Sequence, residues 1–255
     1  MPIDLGWFAA GGVCAASGIF AWGAVAPSSQ IFGPTVRRLG DASSIALTFD
    51  DGPNPSITPE LLDLLDRYQA KASFFLIGRN IRAFPGLVKE IVDRGHTIGN
   101  HTETHAALTF LSARSITEEI ALCDEAIFEV TGKKSELMRP PYGYRSPLLD
   151  GIIRRSGGGR VVMWSATARD WKAQLAARVI KHLRGIRGGD IVLLHDGDHR
   201  LLNGAATYAG SVGVLAAAVE RCRLARRKLR RDLGGHGRAR WMKKGTTTRR
   251  KKPSR

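Results

Sequence analysis

Cysteine is scarce in this chain: Cys14, Cys123 and Cys222 are the only three in 255 residues, they lie far apart, and no Cys-x-x-Cys occurs. That excludes a zinc finger and a dithiol redox motif and leaves three free thiols. Acidic residues nearly vanish toward the C-terminus. Residues 204–255 hold 16 Lys/Arg against Glu220 and Asp232, which leaves 23 basic and 21 acidic residues in 1–203. Of the net charge of +16, +14 therefore belongs to the tail, and a nucleic-acid surface on the main domain is not expected. Charge of either sign is missing between Asp4 and Arg37, and residues 5–26 are apolar or small at almost every position. A bilayer takes about 20 such residues. No Lys or Arg opens the stretch as in a signal peptide, and Pro27 is a poor residue behind the cleavage-like Ala24-Val25-Ala26. An uncleaved membrane anchor is expected, although Arg37-Arg38 on the domain side would place that domain in the cytoplasm by the positive-inside rule.

What is present is alternation. Past a linker at Pro27 to Asp41, short apolar runs read as strands over Ile45–Phe49, Ser73–Ile77, Thr97–Gly99, Leu137-Met138, Arg160–Trp164 and Ile191–Leu194. Helical patterns separate them at Pro59–Tyr68, Pro85–Arg94, Ser115–Thr131, Pro147–Ser156 and Leu175–Arg184. Thr58-Pro59 supplies a capping hydroxyl and an N-terminal proline, while Gly95 and Gly132 stop two of the helices. Such alternation implies parallel strands joined by right-handed crossovers, and about seven units favour an α/β barrel over an open sheet.

Five motifs follow strands. Thr48-Phe49-Asp50-Asp51-Gly52-Pro53 sets two carboxylates side by side; they serve one site only if the backbone turns there, as Gly52 and Pro53 invite. A metal-assisted hydrolase uses one such acid as ligand and one as base. His101-Thr102-Glu103-Thr104-His105 spaces two imidazoles by four, which on a helical turn puts both rings on one face. Two histidines and Asp51, with one position left open, make a catalytic zinc site. Arg139-Pro140-Pro141-Tyr142-Gly143 is a rigid loop whose Tyr142 amide can face an oxyanion. Asp170-Trp171 suits a sugar-facing wall, and Leu193-Leu194-His195-Asp196 ends the last clear strand. Taken singly these are turns, surface pairs and a structural histidine. Taken together they share the C-terminal face of a parallel barrel, where active sites are built.

The ordered set T-F-D-D-G-P, H-T-E-T-H, R-P-P-Y-G, D-W and L-L-H-D resembles the polysaccharide deacetylases of carbohydrate esterase family 4 (the NodB-homology domain), over roughly Ala42 to Asn203. The resemblance implies a distorted (β/α) barrel of about seven strands, binding one divalent metal ion, Zn2+ by preference, and removing acetyl groups from an N-acetylglucosamine-containing glycan. It implies metal ligands Asp51, His101 and His105, with Asp50 as general base held ionised by Arg139. Tyr142 would lend its backbone N–H to the oxyanion, Trp171 and Leu194 would line the acetate pocket, and His195, oriented by Asp170, would be the general acid. An O-acetyl xylan-type esterase and a non-catalytic, polyanion-binding membrane-associated protein are the rival readings.

Three regions follow: an anchor-plus-linker over 1–41, a deacetylase domain over 42–203 and a polybasic, poorly ordered tail over 204–255. Its partner is an acetylated glycan, its location the membrane or the cell envelope. Past Val219 the apolar positions of the tail look too sparse to bury a helical face. Either the tail binds anionic lipid or an acidic wall polymer, or a slipped reading frame near Gly204 has replaced the helix and strand that should close the domain.

Overall fold

The computed structural model describes residues 17–171, 175–198 and 212–232. Its centre is one curled parallel sheet of eight strands: β1 (Thr35–Val36), β2 (Ala46–Asp50), β3 (Ala72–Leu76), β4 (Thr97–Asn100), β5 (Leu137–Met138), β6 (Arg160–Val162), β7 (Ala166–Thr167) and β8 (Ile191–His195). Their order is β1-β6-β5-β4-β3-β2-β8-β7. Helices surround it: α1 (residues 17–25), α2 (Thr58–Arg67), α3 (Gly78–Ala83), α4 (Pro85–Asp93), α5 (Ala113–Thr131), α6 (Leu149–Arg155), α7 (Ala176–His182) and α8 (Val212–Asp232). The α/β barrel expectation holds, with eight strands rather than about seven. The strands not expected are β1, inside the stretch read as linker, and β7, just past the run expected at Arg160–Trp164, of which β6 keeps Arg160–Val162. Two-residue strands carry no alternation to read.

β2 shows how sequence places function here. Alternate side chains of a strand face opposite ways, so Leu47 and Phe49 enter the core beneath the helices, while Thr48 and Asp50 point into the barrel beside Arg139. Phe49, Leu61, Leu65 and Leu194 are fully buried in that outer core, each contributing about 1.5–3 kcal/mol by leaving water. The inner face holds a smaller cluster of Phe75, Val162 and Ile191. Arg38, just past β1, bridges Asp190, just before β8, with a guanidinium–carboxylate contact of 2.7 Å.

Helix ends follow local chemistry in part. Ser112 caps α5, its hydroxyl accepting the Ser115 N–H, and Gly132 ends the helix in the left-handed conformation. Thr58 does not cap α2. It is buried, and its hydroxyl donates to Asp196 Oδ2 at 2.7 Å.

The tail is corrected in part. α8 is a helix and buries Leu215, Ala218, Val219, Cys222 and Ala225 against the core that contains Leu47 and Leu61. Cys222 and Ala225 extend the buried face beyond Val219 because small side chains let the helix approach closely. A covering helix is thus present in the chain as written. Residues 233–255 lie outside the described residues. Cys123 and Cys222 are free and buried, and burial raises both thiol pKa values; Cys14 lies outside the described residues.

Residues 1–16 of the expected anchor are likewise outside, and among the described residues no helix is long and apolar enough to cross a membrane. The C-terminal end of α1 is instead docked on the domain. Arg145, almost fully buried, donates to the carbonyl oxygens of Gly23, Ala26 and Ser29 at 2.8 Å each, and its own N–H donates to Ala24 O at 2.9 Å. One guanidinium thereby satisfies carbonyls that a helix end leaves over. Arg145→Met strands the Gly23 and Ser29 carbonyls and leaves Ala26 O only the Ser29 N–H at 3.0 Å; at about 1 kcal/mol or more per unsatisfied buried carbonyl it is expected to cost about 2 kcal/mol. A urea melt and limited proteolysis check this: the midpoint falls and cleavage appears within 17–36. An unchanged melt with no new cleavage contradicts the docking role.

Candidate metal centre and active site

All five motifs lie at the C-terminal ends of β2, β4, β5, β7 and β8, and four of them converge on one point. Asp50 pairs in register with His195 across β2 and β8, so both face the barrel interior. Asp51 then takes φ 74°, a left-handed turn that swings the second carboxylate to the same site as the first. Gly52 follows because a Cβ there would lie 2.5 Å from Asp196 Oδ2.

His101 and His105 meet through a loop, not a helical turn. Thr102 (φ 68°) and His105 (φ 65°) are both left-handed, and the rings end 5.0 Å apart. Asn100 Oδ1 accepts the Thr102 N–H at 2.8 Å and Thr102 Oγ1 accepts the His105 N–H at 3.2 Å, which holds the unusual backbone. Asp51 Oδ1 lies 3.2 Å from His101 Nε2 and 3.1 Å from His105 Nε2. All three residues are buried, and their ligand atoms lie within 4.8 Å of one another.

These residues fit a divalent ion. Asp51 Oδ1 is buried with no hydrogen-bond partner, an expensive condition that a cation relieves. Burial opposes its charge, but His105 and His101 prevail and hold the carboxyl well below the usual carboxylate value. His101 Nδ1 donates to the Arg139 carbonyl at 2.7 Å, which fixes the tautomer and turns Nε2 toward Asp51.

Asp50 has different company. Arg139 is fully buried and donates to Asp50 Oδ1 at 2.7 Å and Thr48 Oγ1 at 2.8 Å, with Nε on Val162 O at 3.0 Å. Its guanidinium carbon stands 4.2 Å above the Phe75 ring. Asp50 Oδ2 is 3.8 Å from His101 Nε2. One carboxylate is thus set for a metal, its neighbour for a fixed cation.

His195 stands opposite. Asp170 is buried and spends both oxygens on it: Oδ2 accepts the backbone N–H at 2.8 Å and Oδ1 the ring Nδ1–H at 3.0 Å. Burial disfavours the imidazolium, yet the Asp170 carboxylate, helped by Asp51 and Asp50, carries its pKa from 6.5 up to about 9. Trp171 sets its ring 5.6 Å from the His195 ring, edge to face, and Tyr142 (φ 58°) sets its ring 4.5 Å from His105.

Leu194 is a correction. It pairs with Phe49 and is buried in the core under the helices, on the face opposite His195. The alternation of β8 puts Leu193, which pairs with Thr48, on the inner side instead. Period-two reading of Leu193-Leu194-His195 carries that signal.

The polysaccharide deacetylase family matches residues 38–157. A chitooligosaccharide deacetylase of Sinorhizobium fredii is 39% identical over 168 residues, 64% of this chain and 77% of that protein. The chain belongs to the polysaccharide deacetylases. Another relative within that family, the peptidoglycan-N-acetylglucosamine deacetylase PgdA of Listeria monocytogenes, is 38% identical over 66% of this chain, and the chain spans only 35% of its length. Among solved structures, the Bc1960 peptidoglycan N-acetylglucosamine deacetylase superposes with a TM-score of 0.65 at 30% identity, covering 74% of this chain and 86% of that one.

Proposed function

We propose that this family member is a metal-dependent hydrolase that removes acetyl groups from N-acetylglucosamine units of a glycan of the peptidoglycan or chitin-oligosaccharide type, at the cell envelope. The observation that supports it best is the division of labour around one point: Asp51, His101 and His105 converge, with Asp50 on Arg139 to one side and His195 on Asp170 to the other. We assign Asp51, His101 and His105 as ligands of one divalent ion, zinc by its donor set of two imidazoles and a carboxylate. When bound, such an ion supplies Lewis-acid polarisation of the acetyl carbonyl and a lowered pKa for water.

The chain's own residues do the rest. Asp50, held in place by the hydrogen bond from Arg139, takes the proton from the water that attacks the acetyl carbon. The Tyr142 N–H donates to the carbonyl oxygen as it gains charge. His195 delivers a proton to the nitrogen as the C–N bond breaks, and acetate and a free glucosamine amine leave. Trp171 and Leu193 wall the acetate.

The acid role has a pH signature. The folded-state pKa of His195 lies above 6.5, so the Asp170 pairing stabilises the fold fully below that value and the stabilisation is lost as pH rises through about 9. A general acid acts only while protonated, so turnover falls on the alkaline side over the same range. Asp170→Asn removes the charge that holds the imidazolium, and the alkaline limb is expected to move down from about 9 toward 6.5. The pH profile of kcat/KM for acetate release checks this; an unmoved limb contradicts the assignment.

A further inference from the structure

The loop that carries Tyr142 is held at both ends by buried arginines. Arg139 opens it and is tied to Asp50 and Thr48 of β2. Arg145 closes it and is tied to α1, through its side chain to the carbonyl oxygens of Gly23, Ala26 and Ser29 and through its N–H to that of Ala24. These acceptors belong to the C-terminal end of α1 and the turn after it, outside the residues 38–157 that the family match covers. The Arg145 carbonyl in turn accepts the Thr109 hydroxyl at 3.1 Å, from the stretch that follows His105. One residue thus joins α1, the Tyr142 loop and the chain leaving the second histidine.

What lies between the two arginines needs such a hold. Pro140 and Pro141 lack N–H groups, so the loop's own bonds are short-range: Gly143 N–H to Pro140 O at 3.0 Å and Tyr144 N–H to Pro141 O at 2.9 Å. Tyr142 (φ 58°) and Gly143 (φ 71°) are both left-handed, and for Tyr142 that is an unfavourable backbone which persists only where its surroundings over-determine it. Trp164 closes the space beside Gly143, where a Cβ would lie 2.5 Å from its ring. This backbone sets the direction of the Tyr142 N–H. A misplacement of about 1 Å, even from a change far from the chemistry, costs about 100-fold in rate.

We propose that Arg145 is a positioning residue for the deacetylation and that the docked end of α1 is the strut it works through: together they fix the left-handed turn that aims the Tyr142 N–H at the developing oxyanion. The inference rests on the deacetylase reading, with Tyr142 as its oxyanion donor, and extends the catalytic unit to residues 23–29.

Kinetics of the zinc-loaded full chain test this on two acetyl donors, tetra-N-acetylchitotetraose and 4-nitrophenyl acetate. Both pass through an oxyanion, whereas only the amide needs its leaving group protonated. Arg145→Met, assayed well below its melting temperature, is expected to lower kcat about tenfold or more on both donors with KM and metal content unchanged; losing such a donor outright costs about 100–1000-fold. Arg145→Lys, which returns a charged donor to the dock, should recover part of the loss. Gly23→Val attacks the dock from the other side, since a Cβ at Gly23 would lie 2.9 Å from the Phe32 ring, and should lower kcat in the same pattern with Arg145 intact. Hydrogen exchange over 142–145 should quicken in Arg145→Met and Gly23→Val while β2 and β8 keep their protection. An unchanged kcat in Arg145→Met overturns the proposal. So does a fall accompanied by lost metal or a raised KM, which marks a general defect, or one confined to the amide, which belongs to the proton donor. A normal kcat in Gly23→Val beside a slow Arg145→Met places the effect in the lost cation and overturns the strut. If the wild-type chain releases acetate from neither donor, the deacetylase reading fails by itself; quickened exchange over 142–145 then upholds the clamp on the loop, and unchanged exchange removes it.

Discussion

His105→Ala is expected to remove bound metal and turnover together, and His101→Ala to do the same. Each ring nitrogen sits 3.1–3.2 Å from Asp51 Oδ1, so the ion that fits between them has three protein donors and loses one in either variant. Loss of a residue that merely supports a ligand already costs 10–100-fold in affinity, so loss of a ligand should exceed about 100-fold. The remaining pair also leaves Asp51 buried with less opposing charge, and its low pKa, which depends first on overcoming burial and then on His105 and His101, should rise. Elemental analysis after dialysis, beside acetate release, reads both effects. Stoichiometric metal in both variants would remove this centre from consideration.

Asp50→Asn should separate the two functions of the acidic pair. The amide keeps the shape and the metal ligands are untouched, but it cannot accept a proton from water. Turnover is expected to fall about 1000-fold at full metal content, within the range a positioned base supplies. Stability should fall as well, because Arg139 is fully buried and Asp50 is its carboxylate partner; leaving such a cation unpaired costs about 3–5 kcal/mol. A lower melting temperature with metal retained is the full signature. If Asp50→Asn loses metal while Asp51→Asn keeps it, the two roles are exchanged.

Much of this site was legible because chemistry and fold leave separate marks in the chain. Apolar runs place the ends of β2, β4, β5 and β8, and the polar motifs stand just beyond those ends. What was hidden depended on features without a period. The approach of His101 to His105 comes from left-handed backbone at Thr102 and His105, not from helical spacing. β1 and the α1 dock are held by a two-residue strand and by one guanidinium on three carbonyls, and neither shows in a hydrophobic pattern. α8 was underestimated because part of its buried face is built from Cys222 and Ala225, which weigh little on a hydropathy scale but pack closely. Leu194 was the opposite case. Alternation along β8 was available from the sequence, and it places Leu193 rather than Leu194 beside His195.

In the proposed reaction the three-ligand centre, Asp50 and His195 together hydrolyse an N-acetyl group on a glycan. Acetate release by the zinc-loaded chain is the most direct measurement, taken across N-acetylglucosamine oligomers, peptidoglycan fragments and acetylated xylan, with the metal-stripped protein as control. Metal-dependent acetate is expected from the N-acetylated glycans and little from xylan. Release from xylan alone, or none from any substrate beside salt-sensitive binding to anionic lipid, would contradict it.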